Sequence, residues 1–385
     1  MNRIVLIFLT CPFFFSCAQD NSDKGSAADD HKTEVASTEL DFQLKNYFSD
    51  DEKLSRAVDS IFGQLEHSER IAQMIMPAIG EHGQSAATID HLVTQGKIGG
   101  LLLLNGTKEQ FSQWVKKYDR LNDSLKNLPF IYSADAEPSL INRKIRNTAT
   151  VPKANTLKTE AEVRKVAEII ARELNAIGIN YNFAPVVDMS PNTTVGWRSF
   201  GHEPDSVIPW SAAFIEVMQN HQIMATAKHF PGHGFVEGDT HKKLVYINGE
   251  MKEVQNYPPL IKDSVMSVMI AHIAVENNPQ YDTGDMPATT SPKIVKELLR
   301  DSLKFQGIIV TDALNMGGVR NVKDADLLVV EAGCDILLMP LDAEEAHAKI
   351  LEKYNRDEAF KAKVDASVKR IIRAKLCLGL LHSKQ

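Results

Sequence analysis

The stretch IMATAKHF, residues 223–230, is an apolar run that ends in two ionisable residues, Lys228 and His229. A short, nearly continuous apolar run is typical of a strand buried on both faces, as in a parallel sheet. Ionisable side chains are costly to bury midway along such a strand, whereas at its end they can face a shared cleft. The stretch therefore predicts a buried strand that brings polar groups to a site.

Seven more apolar runs occur along the chain, separated by longer amphipathic stretches. Four of those stretches, residues 108–125, 159–178, 205–221 and 291–303, have helical patterns. Short apolar runs that alternate with helices are typical of βα units around a parallel sheet. In chain order the eight runs are IAQMIMPA from Ile71, IGGLLLL from Ile98, LPFIYSAD from Leu128, INYNFAPVVD from Ile179, IMATAKHF from Ile223, VMIAHI from Val268, GIIVTDAL from Gly307 and CDILLMP from Cys334.

Eight such units predict an α/β fold, a (β/α)8 barrel of the TIM type. A doubly wound open sheet is the alternative, but no GxGxxG turn follows the first run, which counts against a dinucleotide-binding fold. A barrel carries its chemistry at the carboxyl ends of the strands and in the loops that follow. The ionisable residues of this chain follow that rule. The ends of runs three to seven carry Asp135, Asp188, Lys228, His229, His272 and Asp312, and the loops after runs four and five carry Arg198, Asp239 and His241.

The first sixteen residues, MNRIVLIFLTCPFFFS, place one cation, Arg3, before an apolar run. This pattern is typical of a signal peptide, and the run is too short for a permanent membrane span. The following FFSC resembles a bacterial lipoprotein signal, which predicts lipidation at Cys17 and a membrane-anchored protein of the cell envelope, in the periplasm or at the outer membrane. Plain secretion is the alternative. We expect a signal peptide over residues 1–16, a flexible tether over 17–45 and one catalytic domain over 46–385.

Charge and cysteine positions argue against nucleic-acid binding and against redox chemistry. The 385 residues carry a formal net charge of -7 and no basic stripe, so we do not expect nucleic-acid binding. Cys334 and Cys377 lie in apolar runs, which predicts buried small side chains without a redox role. We also expect a monomer.

The fifth run continues into KHFPGHGFVEGDTH, residues 228–241, which holds three histidines, a lysine and two acidic residues among glycines and a proline. A metal site, a phosphate cradle or an acid/base loop would each use such residues. The spacing matches neither HExxH nor a CxxC pair, and a phosphate cradle needs a turn such as GxxxxGK[ST]. We therefore expect neither a metal nor a cofactor.

The same stretch resembles the signature of glycoside hydrolase family 3, in its single-domain β-N-acetylglucosaminidase branch, where KHFPGHG is followed by four variable residues and D-S-H; here the ending is D-T-H. The resemblance extends from about residue 54 to the C-terminus. It implies a retaining exo-β-N-acetylglucosaminidase that hydrolyses terminal β-linked GlcNAc, with peptidoglycan fragments as the source. The other matching motifs are NFAPVVD at 182–188, RSFG at 198–201, AHI at 271–273, SPKIVKELLR at 291–300, GIIVTDALNMGG at 307–318 and EAGCDILLMP at 331–340.

The resemblance also implies residue roles. Asp312 corresponds to the nucleophile, and His241, oriented by Asp239, to the proton donor. Each has a simpler interpretation, since Asp312 could cap a helix and the other two could be ordinary loop residues. Asp188 and His233 are expected to support the site rather than react. The residues implied to hold the sugar are Asp135, Arg143, Arg198, Lys228, His229 and His272.

One segment departs from the pattern, because DAEPS stands at residues 135–139 where the family commonly has DQEGG. Pro138 and Ser139 remove backbone freedom beside the sugar site, which leaves the aglycone preference open. Two other functions remain as alternatives. One is a β-glucosidase or xylosidase of the same family, although those relatives usually take an acid/base carboxylate from a second domain. The other is a non-catalytic lipoprotein that binds glycan on the same barrel.

Overall fold

Eight parallel strand segments follow one another around a barrel in the computed structural model, which describes residues 42–189, 192 and 194–382. The ring closes because the first and last segments pair with each other and Ile336 bridges to Val310. The predicted (β/α)8 barrel is confirmed. The strands are β1 (Ile75–Met76 and Ala78–Ile79), β2 (Gly100–Leu103), β3 (Ile131–Ala134), β4 (Tyr181–Asn182), β5 (Met224–Phe230), β6 (Ser267–Ile270), β7 (Ile308–Thr311) and β8 (Leu337–Leu338).

The strand registers bring the carboxyl ends to one edge of the ring. Ala134 at the end of β3 lies opposite Asn182 at the end of β4, and Ile270 at the end of β6 lies opposite Thr311 at the end of β7. Residues that follow these strands therefore emerge on the same face of the barrel. Two further parallel pairs lie outside the ring, Gly106–Thr107 with Ile145–Arg146 and Val245–Asn248 with Ile273–Glu276.

Helices connect the strands, and the sequence contains their start and stop signals. The helix predicted over 159–178 is Glu160–Ile177: the Thr159 hydroxyl accepts from the N–H of Glu162, and the helix ends at Gly178 with φ +95°. The other helices are Glu52–Gln64, His67–Ala72, Ala86–Thr94, Lys108–Leu125, Ile141–Lys144, Pro204–Asn220, Tyr257–Lys262, Ala325–Ala332, Ala343–Tyr354 and Glu358–Cys377, with a π-helical segment at Lys293–Ser302 and 3-10 turns at Leu44–Asn46, Ala154–Thr156, Lys252–Asn256 and Ala288–Thr290.

The first strand begins later than the apolar run predicts. Ile71, at the start of that run, belongs to the helix His67–Ala72, and the strand begins at Ile75. Pro77 divides β1 into its two parts because proline has no N–H for the ladder. A buried helix end and a buried strand start cannot be distinguished by apolar character alone.

The chain enters the fold close to the predicted end of the tether. Phe42 and Leu44, which we assigned to the tether, are buried in the main core. Cys334 and Cys377 are buried and unpaired, as predicted. No helix within the described ranges has both the length and the apolar character to span a membrane. The predicted signal peptide, the predicted lipidation site at Cys17 and the rest of the tether lie outside the described residues.

Candidate active site

A cavity of about 430 Å³ opens at the carboxyl ends of the barrel strands. Ligand pockets commonly have volumes of roughly 300–1,000 Å³. The structure brings eight of the nine predicted site residues to this cavity, and His272 alone among the nine does not line it. The eight are Asp135, Arg143, Arg198, Lys228, His229, Asp239, His241 and Asp312.

Asp312 follows strand β7 directly and lines the cavity. Its N–H donates to the carbonyl of Ile270 at 2.8 Å, and its Oδ1 accepts from the N–H of Ala313 at 2.8 Å. Burial alone would raise the pKa of this carboxyl. The His272 and His229 rings and the Ala313 N–H outweigh burial and lower the pKa. Asp312 is therefore a charged carboxylate at neutral pH.

Asp239 and His241 form a hydrogen-bonded pair on the loop after strand β5. Asp239 Oδ1 accepts from the backbone N–H of His241 at 3.0 Å and lies 2.7 Å from ring Nδ1. Although burial would raise the pKa of Asp239, the two His241 donors outweigh it and lower the pKa. The carboxylate thus favours a proton on Nδ1 and leaves Nε2 for proton transfer. The His241 side chain is 62% exposed, so Nε2 can meet a bound substrate.

The loop that carries this pair is attached to the segment that follows Asp312. Gly317 donates its N–H to the carbonyl of His241, and Gly318 donates to the carbonyl of Thr240, each at 3.0 Å. A Cβ at Gly317 would overlap the carbonyls of Lys242 and His241, so only glycine permits this close approach. The carboxylate and the imidazole therefore lie on segments in direct contact.

Two cations and two carboxylates form an ion-pair network beside the cavity, with Glu137 and Lys228 buried and the other two members partly buried. Lys228 Nζ lies 2.9 Å from Asp135 Oδ1 and 2.6 Å from Glu137 Oε1. Arg198 donates to Glu137 twice, from Nε at 2.8 Å and from Nη2 at 2.6 Å. Burial would raise the pKa of each carboxyl, but the cations outweigh it and lower both. Burial would likewise lower the pKa of Lys228, but the carboxylates raise it, so all four groups stay charged.

Sequence reasoning missed Glu137, although this residue lies within the DAEPS segment. Glu137 is fully buried and does not line the cavity, so it acts on the site through Arg198 and Lys228. Charge balance is the signal that could have found it. Two cations in one largely buried cluster need more than the single carboxylate of Asp135.

Asp188 has the supporting position that the sequence predicts. Its Oδ2 lies 2.7 Å from His229 Nδ1, and its Oδ1 accepts the backbone N–H groups of His229 at 3.2 Å and His233 at 2.9 Å. Burial would raise the pKa of Asp188, but His229 outweighs it and lowers the pKa. His233 is also buried, with Nε2 at 3.1 Å from Thr240 Oγ1. These contacts orient His229 and join the two halves of the loop.

His272 requires a correction, because its position does not suit the sugar-binding role predicted for it. The residue is fully buried and does not line the cavity. Its Nδ1 lies 2.9 Å from Thr289 Oγ1, and its Nε2 donates to the carbonyl of Ala313 at 3.0 Å. Both ring nitrogens are thus occupied by protein, and His272 supports the backbone next to Asp312.

Ser139, in the segment that departs from the family pattern, connects a cavity-lining residue to the 3-10 turn Ala154–Thr156. Its Oγ donates to the carbonyl of Trp197 at 2.9 Å and accepts the N–H of Ala154 at 2.9 Å. Trp197 lines the cavity, as does His82, and the sequence pointed to neither. Ser139 therefore supports the backbone of one cavity-lining residue, and the departure leaves the charged network intact.

Comparison with known proteins identifies one family. Residues 67–374 match the model described as the glycosyl hydrolase family 3 N terminal domain. Beta-hexosaminidase A of Pseudoalteromonas piscicida is 31% identical over 297 residues, which cover 69% of this chain and 50% of that protein. A beta-hexosaminidase of Neisseria meningitidis serogroup C is 30% identical over 262 residues, 63% of this chain and 71% of that one. The crystal structure of a β-N-acetylhexosaminidase from Beutenbergia cavernae superposes with a TM-score of 0.72 at 26% identity, covering 81% of this chain and 99% of the other.

Proposed function

The chain belongs to glycosyl hydrolase family 3, and on that premise we propose that it is a retaining, exo-acting β-N-acetylglucosaminidase. The observation that carries this proposal is one cavity lined both by a partly buried carboxylate, Asp312, and by a carboxylate–imidazole pair, Asp239 and His241. The hexosaminidase names of its relatives and of the Beutenbergia structure support the choice of N-acetylglucosamine as the sugar.

In the first half of the proposed reaction, a carboxylate oxygen of Asp312 bonds to the anomeric carbon as the bond from that carbon to the leaving oxygen breaks. The leaving oxygen takes a proton from Nε2 of a protonated His241. The negative charge of Asp239, 2.7 Å from Nδ1, stabilises the imidazolium before the transfer. The products are a glycosyl ester on Asp312 and a neutral histidine.

In the second half, neutral His241 Nε2 removes a proton from a water molecule whose oxygen attacks the same anomeric carbon. The ester bond to Asp312 breaks, and the carboxylate is restored. Two displacements at one carbon retain the β configuration. Histidine suits both steps because it titrates close to neutral pH.

Charged and polar residues that line the cavity would hold the sugar. Asp135, Arg198, Lys228 and His229 line the cavity with charged or strongly polar groups, which make strong hydrogen bonds to hydroxyls. Arg143 is exposed at the same cavity, and among the described residues none forms an ion pair or a side-chain hydrogen bond with its guanidinium. We assign these residues to substrate binding.

The simpler interpretation of Asp312 as a helix cap has no support in the structure. Its Oδ1 accepts from Ala313, and the next helix, Ala325–Ala332, begins well after it. Its carboxylate instead lines a cavity with the histidine pair. The position of Asp312 is therefore better explained by chemistry than by capping.

We propose that the natural substrates are fragments of peptidoglycan and that a lipid on Cys17 attaches the enzyme to a membrane of the cell envelope. The lipoprotein-type sequence before Cys17 supports this, since an exported, anchored enzyme shares its compartment with the cell wall. Labelling of cells with a fatty-acid analogue, with Cys17→Ser as the control, tests the anchor. Label on both proteins would exclude Cys17 as the attachment site.

The activity is tested with aryl β-glycosides of N-acetylglucosamine, glucose and xylose, supplied to the purified chain. We expect turnover of the N-acetylglucosaminide far above the other two, with the β-anomer as the first product in an NMR time course. An α-anomer would contradict retention. Turnover of the glucoside or xyloside alone would favour the related glycosidases. No turnover, with glycan binding retained, would favour the non-catalytic alternative.

A further inference from the structure

Glu253 is a buried carboxyl, and its hydrogen-bond partners among the described residues are all backbone groups. It lies on the 3-10 turn Lys252–Asn256 and is 3% exposed. Its Oε1 accepts the N–H of Met189, and its Oε2 accepts the N–H of Gly234 at 2.8 Å. Among the described residues no lysine or arginine forms an ion pair with it. A buried carboxyl held in this way joins two segments of backbone rather than balancing a cation.

The two glycines of the PGHG segment pack directly on this carboxyl. A Cβ at Gly232 would overlap Glu253 Oε2, and a Cβ at Gly234 would overlap Oε1 and the carbonyl of Met189. Gly232 also has φ +136°, a conformation that other residues rarely adopt. The glycines therefore permit close contact between the start of the loop and Glu253.

The same loop continues to the proposed acid/base pair, and hydrogen bonds hold it in its middle and at its far end. Asn192 donates its backbone N–H to the carbonyl of Gly234 at 3.2 Å and its side-chain amide to the carbonyl of Val236 at 2.7 Å. At the far end, Thr240 and His241 are bound to the segment after Asp312. Asp239 and His241 thus lie near one end of a loop whose other end rests on Glu253.

We propose that Glu253 is a positioning residue for the proton transfer, because it fixes the start of the loop that carries Asp239 and His241. This inference rests on the proposed function. Glu253 contacts neither the cavity nor Asp312. Its loss should therefore impair protonation of the leaving oxygen more than attack by the carboxylate.

The ionisation of Glu253 agrees with this position. Burial, and then the nearby carboxylate of Asp188, raise its pKa to about 9. The group is therefore neutral at pH 7 and needs no buried counter-ion. A glutamine has the same shape and charge but presents one NH2 group to a backbone N–H, so Glu253→Gln keeps only one of the two acceptors.

The test compares kcat/KM for two N-acetylglucosaminides, one with a phenol leaving group and one with 2,4-dinitrophenol. The phenyl compound needs a proton donor, and the dinitrophenyl compound does not. We expect Glu253→Ala to lower the phenyl rate about tenfold more than the dinitrophenyl rate, with a smaller difference in the same direction for Glu253→Gln.

Asn256→Ala is the matched control. Asn256 lies on the same 3-10 turn, is fully buried, and donates to the carbonyl of Val187 at 2.8 Å, whereas Glu253 accepts directly from the loop residue Gly234. Loss of the Asn256 amide should change kcat/KM by the same factor for both substrates. Hydrogen exchange supplies a second readout: the amides of residues 232–241 should exchange faster in Glu253→Gln, with those of strand β5 unchanged, even where Glu253→Ala does not fold.

His241→Ala separates this inference from the proposed function. One outcome would leave the proposed function standing but exclude a positioning role for Glu253. In that outcome His241→Ala lowers kcat/KM selectively for the phenyl substrate, whereas Glu253→Gln lowers kcat/KM equally for both substrates and leaves the exchange rates of amides 232–241 unchanged. If His241→Ala itself shows equal losses, the acid role of His241 is wrong, and the inference that depends on it is overturned as well.

Discussion

Glu137 and Arg198 form a two-point ion pair beside the cavity, with Nε–Oε2 at 2.8 Å and Nη2–Oε1 at 2.6 Å. The same carboxylate also binds Lys228, so one fully buried anion orients two cations that line the cavity. A guanidinium held at two points cannot rotate away from its partner. The cations are therefore in place before the proposed sugar substrate binds, which lowers the cost of ordering them.

Loss of Glu137 should destabilise the protein and weaken substrate binding. Glu137→Ala leaves the buried Lys228 and the partly buried Arg198 with one carboxylate, Asp135, and removal of one partner from a buried ion pair costs about 3–5 kcal/mol. We expect urea unfolding to show a loss of this size and steady-state kinetics to show a raised KM. Lys144→Met is the control, since its partly exposed pair with Asp135 at 3.4 Å should contribute roughly 1 kcal/mol or less. Equal effects of the two substitutions would contradict the central position of Glu137.

The contribution of Glu137 should also depend on pH with a defined sign. Its pKa is lowered in the folded protein, so its stabilisation is present above the pKa of an unfolded glutamate, about 4.3, and is lost as the pH falls through the folded value. We expect the difference in unfolding free energy between the wild type and Glu137→Gln to be full at pH 7 and to shrink below about pH 4. A difference that stays constant down to the acid limit of folding would exclude an ion-pair origin.

Asp312→Asn should abolish turnover and leave the fold intact. The amide cannot form the glycosyl ester, so we expect kcat to fall about a thousandfold or more on every aryl N-acetylglucosaminide. The thermal midpoint should change little, because within the described part of the chain the carboxylate accepts one hydrogen bond, from the neighbouring Ala313. Mass spectrometry of wild-type enzyme quenched with a 2-deoxy-2-fluoro substrate should find the sugar on the peptide that contains Asp312. Label on another carboxylate would move the nucleophile elsewhere.

Much of this architecture could be read from the sequence, because it depends on patterns within one element. The run IMATAKHF became strand β5, and Lys108–Leu125 has the bounds of the predicted helix, since apolar periodicity and capping residues act locally. The positions of Asp312, Asp239 and His241 at one cavity followed from the rule that barrel strands end on one face.

The missed residues act through contacts between segments that are distant in the chain. Glu137 meets Arg198 from 61 residues away, and Glu253 meets Gly234 from 19 residues away, across a turn with no local signal of its function. His272 ends a strand as a site residue should, yet its ring turns to Thr289 instead of the cavity. Strand position predicts which face a residue approaches but not which partner its side chain finds.

Asp239→Asn tests whether the loop carboxylate assists the histidine. The amide cannot offset the charge of the imidazolium and can reverse the tautomer of His241, so proton transfer should slow. We expect roughly a 10- to 100-fold loss on the phenyl substrate and at most a few-fold loss on the dinitrophenyl one. Stopped assays with both substrates well below KM give kcat/KM, which reports the first step alone, and so measure this ratio. A uniform loss would mean that Asp239 acts on the fold or on sugar binding.

Lys375 offers a test of stability at the end of the barrel opposite the cavity. It is fully buried, and its Nζ donates to Gln73 Oε1 at 2.6 Å and to the carbonyl of Gly99 at 3.1 Å, both neutral acceptors. Burial lowers its pKa to about 7. Between pH 7 and the pKa of an unfolded lysine, about 10.4, the unfolded chain binds more protons, so the free energy of unfolding should rise with pH.

Lys375→Met removes this titration. The difference in unfolding free energy between the wild type and the variant should therefore move in favour of the wild type by up to about 4 kcal/mol as the pH rises from 7 to 10. Urea unfolding at half-unit pH steps measures it. Lys369→Met, on the same helix but with its exposed partner Asp59 at 2.8 Å, is the control and should show no such trend. Parallel curves for the wild type and Lys375→Met would mean that Lys375 keeps its proton in the folded state, with the Gln73 and Gly99 oxygens sufficient to hold a buried ammonium.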